Sequence, residues 1–137
     1  MMGELSGWNA GLADWASLAL RLAVGGGSFV HAKNKFGKVH LFAAGHHLPM
    51  WLAWVATFVQ LLGGIALILG LATPIAALGL TIFGLWATLE LIFRKREKFA
   101  APGEHTWDTG VMYTAIPLAI LLAGPGRYSL DYLLAAR

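Results

Sequence analysis

Apolar residues fall into four long runs separated by shorter polar links. Each run approaches the length of about 20 residues that a membrane-spanning helix needs, although the fourth is short. The runs lack the strict alternation of barrel strands, and a spanning segment must satisfy its own backbone hydrogen bonds, so they predict helices. We therefore expect an all-α fold, an integral membrane four-helix bundle formed by a single domain over residues 1–137. The runs are Leu12 to Val30, Trp51 to Leu71, Pro74 to Phe93 and Thr109 to Ala123.

The links between the runs predict how the helices are arranged. "GLATP" is so short that the second and third helices must form an antiparallel hairpin, in which Thr73 is a candidate N-cap. The first link is longer and carries Phe36, Val39, Phe42 and Ala43 at helical spacing beside lysines. This pattern predicts a short amphipathic helix over residues 36–44, lying in the membrane interface between the first two long helices.

Composition supports a membrane protein and excludes several other classes. The chain is 58% hydrophobic and only 12% charged, whereas a soluble domain is about 45–50% apolar and about 25% charged. It has no cysteine, which excludes disulfides and thiolate metal sites. The cations form short clusters between apolar runs rather than a basic face, so we expect no nucleic-acid partner. The N-terminus lacks the basic region of a signal peptide, so the first run is expected to be retained as a span.

The distribution of lysine and arginine predicts an orientation. The first and third links hold seven of these residues, while the two terminal tails hold two. Cytoplasmic loops are enriched in lysine and arginine, so we expect these links in the cytoplasm and both termini outside it, in the cell membrane of a bacterium or archaeon.

Two polar residues inside the apolar runs suggest a binding site. Arg21 lies near the middle of the first run, on a helical face that it shares with Gly25, His31 and Lys35. A charge at that depth costs several kcal/mol unless it is paired, or unless its side chain snorkels to the headgroups. Gln60 lies at a similar depth of the antiparallel second helix. We expect Arg21 to point into the bundle and to hydrogen-bond to Gln60 or to a ligand beside it.

The remaining titratable residues leave alternatives open. Glu90 precedes Arg94 by four residues, which is typical of a surface ion pair on a helix but is also compatible with a functional carboxylate. The five histidines all fall on the predicted cytoplasmic side. They are interpreted as interfacial polar residues, and a haem or metal site through His31 or His105 is the alternative.

Three sequence stretches together resemble the DoxX family of small bacterial and archaeal membrane proteins. "RLAVGGGSFVHAKNKF" is similar to that family's first helix, with alanine where the family usually has glycine after the histidine. "VQLLGGIALILGLATPIAALGL" resembles its second and third helices, where the family typically has glutamate at the position of Gln60. "GPGRYSLD" resembles its C-terminal signature.

The resemblance implies a four-helix membrane bundle associated with membrane redox systems. Our first hypothesis is a subunit or accessory protein of a quinone-linked complex, respiratory or oxidative-stress, that binds a quinone or another small apolar ligand. Any enzymatic role would be as a subunit of a quinone-linked oxidoreductase, with partners in that complex and in the lipid bilayer. The hypothesis assigns a midplane site to Arg21, Thr57 and Gln60, and a more cytoplasmic cluster to His31, Lys35, His105 and Asp108.

Other functions remain open at this stage. The chain shows no ligand pattern for haem or iron–sulfur clusters, which favours a non-catalytic membrane anchor or scaffold that recruits partner proteins. A carrier of a small molecule or lipid is a third hypothesis. The sequence also leaves open whether the chain forms a homo-oligomer.

Overall fold

The computed structural model is helical throughout the residues that it describes, which are 2–102 and 106–137. Within those residues there are six α-helices and no strand, which confirms the all-α class. The helices are α1 (Met2–Lys35), α2 (Val39–Gly45), α3 (Met50–Leu69), α4 (Thr73–Leu89), α5 (Trp107–Ala123) and α6 (Leu130–Ala135), and α4 continues into a π-helical turn, Glu90–Arg94.

The four long helices pack side by side in a closed ring. α1 packs against α3, α3 against α4, α4 against α5, and α5 returns to α1. The short helices lie at opposite ends of this ring, and these ends are named the α2 end and the α6 end below. Buried apolar side chains from all four long helices meet between them: Val24, Leu67, Ala77, Leu80 and Ile120.

A pair of glycines brings α1 and α3 into backbone contact. A Cβ atom on Gly25 would lie 2.8 Å from the carbonyl oxygen of Gly64, and one on Gly64 would lie 2.7 Å from that of Gly25. Small residues permit such close crossings between helices. The crossing also fixes the register, because Arg21, one turn before Gly25, already reaches the last turn of α3. The first turns of α1 therefore extend past the end of α3.

The turn between α3 and α4 is closed by the far end of the chain. Gly70 ends α3 with a φ of 65°, and Ala72 precedes α4 with a φ of 48°. The backbone N–H groups of Ala72 and Thr73 both donate to the carboxylate of Asp131, at 2.7 Å. The predicted hairpin is present, but the predicted cap is wrong: Ala72 is the N-cap residue, and the side chain that caps α4 is that of Asp131.

Two helical stretches among the described residues are long and apolar enough to cross a bilayer, Met50–Leu69 and Thr73–Arg94. α5 is also apolar and has 17 residues. Large apolar side chains cover the outward faces of these helices, as at Leu62 and Ile75, which are 60% and 76% exposed. Soluble monomers rarely expose contiguous apolar patches of this kind. This surface therefore suits a hydrocarbon environment.

The helix predicted in the first link is present but shorter and later than expected. It covers Val39–Gly45 rather than residues 36–44, because Gly37 has a φ of 78° and separates it from α1. Val39 and Ala43 face the bundle and are buried. Phe36 lies in the preceding turn, where its ring meets those of Trp54 and Phe58 on α3.

Candidate functional site

Arg21 is fully buried at the α6 end of the bundle rather than at mid-depth. Its guanidinium donates to the backbone carbonyl of Leu67, 3.3 Å away, and to that of Tyr128. Gln60 precedes Leu67 by seven residues, which is about 10 Å along a helix. Arg21 points into the bundle as predicted, but the predicted hydrogen bond to Gln60 is wrong. The depth of Arg21 was misjudged because α1 extends beyond α3.

The chain after α5 crosses the α6 end and binds the residues around Arg21. Ser17 Oγ donates to the carbonyl of Gly124 at 3.1 Å, and the backbone N–H of Arg127 donates to the Asp14 carboxylate at 2.9 Å. Together with the cap on α4, these bonds make residues 124–131 a strap across three helices. Arg21 lies beneath this strap and holds it to α1 through the hydrogen bond to Tyr128.

Lys35 reaches the interior position that the sequence assigned to Arg21. Its ammonium group donates to the side-chain carbonyl of Gln60, which is buried on α3. The same nitrogen lies 4.0 Å from the ring centroid of Phe42 and 4.9 Å from that of Phe83. Both ring faces attract the cation. Gln60 is neutral, however, so it cannot balance the charge of Lys35.

Thr57 shares the polar face of α3 with Gln60, one turn earlier. It is fully buried, and its hydroxyl donates to the carbonyl of Ala53 at 2.8 Å. This bond lies within the helix, and the hydroxyl oxygen keeps its capacity to accept.

A cavity of about 200 Å³ opens beside Gln60, between the four long helices. Its hydrogen-bonding residues are His31, Gln60, Thr106, Thr109 and Tyr113, and its apolar wall includes Phe83, Ala87 and Leu91. The rings of His31 and Tyr113 meet edge to face, with their centroids 5.3 Å apart. Ligand sites commonly combine apolar walls with a few converging polar groups. This volume suits a small ligand of one or two fused rings.

The two predicted sets of site residues meet at this cavity through Gln60 and His31, whereas Arg21 and Thr57 are not among the residues that line it. His31 lines the cavity, and Lys35 reaches it through Gln60. Asp108 lies in the first turn of α5 and accepts a hydrogen bond from the hydroxyl of Thr106, which also lines the cavity. His105 lies outside the described residues. The described residues contain no group of three His, Asp or Glu side chains placed to hold a metal ion.

A family model covers most of the residues that build this site. The DoxX model matches residues 16–93, which is more than half of the chain. The chain belongs to the DoxX family. A protein of Bacillus subtilis (strain 168) named "Putative oxidoreductase CatD" is 32% identical over 110 residues, covering 76% of this chain and 77% of that protein. No solved structure matches this chain.

Membership of the DoxX family confirms the resemblance seen in the sequence and implies a membrane protein. The matched segment runs from α1 through α4, so it includes His31, Lys35 and Gln60. α5, which supplies Tyr113, and the strap lie beyond it. The two helical stretches of spanning length agree with a membrane location.

A second polar cluster joins α2 to the π-helical turn at the end of α4. Glu90 is buried, and its carboxylate lies 2.5 Å from His46 Nδ1 and 3.0 Å from an Arg94 nitrogen. Arg94 also donates to the backbone carbonyl of His46 at 2.6 Å. Burial lowers the pKa of His46, and the nearby Glu90 carboxylate offsets only part of this effect. A neutral His46 would then donate its Nδ1 proton to Glu90.

Sequence reasoning found only half of this cluster. The spacing of Glu90 and Arg94 correctly predicted their ion pair, but it suggested an exposed pair. In the structure Glu90 faces inward toward α2, and only Arg94 is exposed. The contact of Glu90 with His46 joins residues 44 apart in the sequence, and no local pattern predicts it. Tyr113 was also missed, although a hydroxyl-bearing aromatic residue within the fourth apolar run was a usable signal.

Proposed function

We propose that this chain is a membrane subunit or accessory protein of a quinone-linked redox complex. The bundle would cross the bilayer four times, with the α2 end in the cytoplasm and both termini outside. The cation-rich links at the α2 end support this orientation. Membership of the DoxX family and the relative named as an oxidoreductase support a redox association.

The observation that carries the proposal is the Lys35–Gln60 pair beside the interior cavity. The positive charge of Lys35 is not balanced by the neutral side chain of Gln60. In a mostly apolar bundle, an electron-rich oxygen of a ligand would stabilise this charge. Gln60 Oε1 accepts from Lys35, so its amide nitrogen is the side that donates toward a ligand.

A quinone head group fits the chemistry of these residues. Its two ring carbonyls accept hydrogen bonds, and the cavity offers donors on opposite helices, Gln60 on α3 and Tyr113 on α5. His31 adds a ring that can donate or accept a proton. When bound, a quinone would supply two-electron redox chemistry. The chain itself would orient the ring and exclude lipid from its oxygens.

Binding of menadione tests this proposal. Menadione is a naphthoquinone without a tail, and its binding to the purified chain in lipid nanodiscs can be followed by quenching of tryptophan fluorescence. We expect Gln60→Leu to weaken binding about tenfold or more, which corresponds to the loss of at least 1.4 kcal/mol. Ala119→Phe, on the exposed face of α5, is the matched control and should bind like the wild type. Wild-type protein that binds no menadione would contradict the proposal.

A second candidate function, a membrane anchor for soluble partners, is favoured by one surface. Lys95, Arg96 and Lys98 are exposed just after the π-helical turn, at the same end as Lys33 and Lys38. Such a basic face suits an acidic protein surface. Under this candidate, neutralising the three cations at 95, 96 and 98 would abolish partner association, whereas Gln60→Leu would leave it intact.

A further inference from the structure

An apolar groove runs along the outer surface between α3 and α4. It consists of two depressions, of about 210 Å³ and about 390 Å³. Both are lined by Val55, Val59 and Gly79, so they form one continuous channel. From Leu52 to Gly63 the groove follows twelve residues of α3, which is about 16 Å. A flexible apolar chain of several isoprene units fits this length.

Phe83 separates this groove from the interior cavity. It lines the groove on one side and the cavity beside Gln60 on the other. Its ring also faces the Lys35 ammonium group at 4.9 Å. The groove and the polar cavity thus share Phe83 as a common wall residue.

We propose that the chain binds an amphiphilic ligand with a polar ring and a long branched apolar tail, the ring in the cavity and the tail in the α3–α4 groove, with Phe83 between them. The inference rests on the proposed function and specifies its ligand class as isoprenoid quinones rather than tailless ones. The wall shared through Phe83 favours a single bipartite ligand over a separate membrane lipid in the groove. A groove filled by membrane lipid alone is one outcome of the test.

The test compares two ligands with the same ring. Phylloquinone carries a branched tail on the naphthoquinone ring of menadione. Both are titrated into nanodiscs containing the protein, with empty nanodiscs subtracted to correct for partition into lipid. Gly79→Phe places a ring in the groove, and the site accepts a larger side chain because the nearest atom to an added Cβ, on Val59, is 3.5 Å away. Ala119→Phe adds the same ring to the lipid-facing surface of α5.

We expect wild-type protein to bind phylloquinone about tenfold or more tightly than menadione at equal concentration in the bilayer. Gly79→Phe should remove this advantage, while Ala119→Phe should keep it. A second variant, Ile82→Ala, shortens the groove wall with little risk to folding, since Ile82 is 60% exposed, and should reduce the advantage by a smaller factor.

The outcomes separate this inference from the proposed function. Equal binding of both quinones, unaffected by Gly79→Phe, would overturn the tail site and leave the cavity site intact; the groove would then hold membrane lipid. Failure to bind either quinone would overturn both. Menadione binding by the Gly79→Phe protein shows that the variant is folded.

Discussion

The guanidinium of Arg21 and the backbone carbonyl of Tyr128 are hydrogen-bonded across 107 residues of sequence. This bond holds the C-terminal strap over the end of α1, and a second bond from Arg21 reaches Leu67 on α3. Three segments of the chain therefore meet at one buried cation. Arg21 thus joins the ends of α1 and α3 to the strap, whereas Lys35 is the cation that donates to Gln60 beside the cavity.

Replacing Arg21 should lower stability. Arg21→Met removes a charged donor from two carbonyls, and hydrogen bonds to charged groups contribute about 1.5–3 kcal/mol each. We expect a clear fall in Tm in detergent and faster proteolysis of the strap. Arg21→Lys should be nearly as damaging, because a lysine lacks the fork that reaches two acceptors. A variant as stable as the wild type would show that the strap is held without Arg21.

The crossing of α1 and α3 can be tested with two adjacent glycines. Gly25→Ala sets a methyl group against the Gly64 carbonyl, and overpacking of this kind costs about 1–3 kcal/mol. Gly26→Ala is the matched control, since nothing lies within 4 Å of its added Cβ. It should be neutral or should stabilise the helix by up to about 1 kcal/mol. Thermal unfolding that ranks the two variants the other way would contradict this register.

The cap on α4 should make stability sensitive to acid. Burial raises the pKa of Asp131. Hydrogen bonds from Thr73 and Ala72, together with the charge of Arg21, lower this pKa by a larger amount, so the net shift is downward from 3.8. Because the pKa of Asp131 is lower in the folded protein than in the unfolded chain, its carboxylate stabilises the fold fully at a pH above the unfolded pKa. This stabilisation is lost as the pH falls through the folded pKa. Asp131→Asn should cost about 1 kcal/mol at pH 7, because an amide has one acceptor oxygen where the carboxylate accepts from two backbone N–H groups.

The difference in Tm between wild type and Asp131→Asn should shrink as the pH falls below 3.8, where the wild-type carboxylate becomes protonated. A difference that stays constant across that range would exclude the carboxylate as the cause.

The contact of Glu90 with His46 should hold α2 against the bundle. In a double-mutant cycle, Glu90→Gln and His46→Ala should show a coupling of roughly 0.5–3 kcal/mol. Either variant should speed hydrogen exchange in residues 36–49. The exposed His40 serves as the control, because His40→Ala removes a neighbouring imidazole on the same short helix. Additive effects of the first two variants would mean that the pair does not fasten α2.

The sequence predicted the helices well because each is encoded locally. Apolar runs, the Gly70–Pro74 turn and the helical spacing around Val39 all act within a few residues. The site was harder to predict because its geometry depends on register. Counting from Leu12 put Arg21 at mid-depth, whereas the close contact of Gly25 with Gly64 slides α1 along α3 and brings Lys35 to Gln60 instead.

Contacts between residues far apart in the sequence could not be predicted, because no local sequence pattern accompanies them. Asp131 caps a helix that begins 58 residues earlier, and Phe83 borders both the cavity and the groove only because of how α4 is rotated. Residue types and helical spacing were enough to predict His31 and Gln60, which line the cavity, and Lys35, which donates to Gln60.

We propose that the ligand site surrounds Lys35 and Gln60 and excludes Arg21. The most direct measurement is the dissociation constant of menadione for Lys35→Met and Arg21→Met proteins, each corrected for its folded fraction. We expect Lys35→Met to weaken binding about tenfold or more, and folded Arg21→Met to bind within about twofold of the wild type. Loss of binding in Arg21→Met with wild-type affinity in Lys35→Met would contradict it.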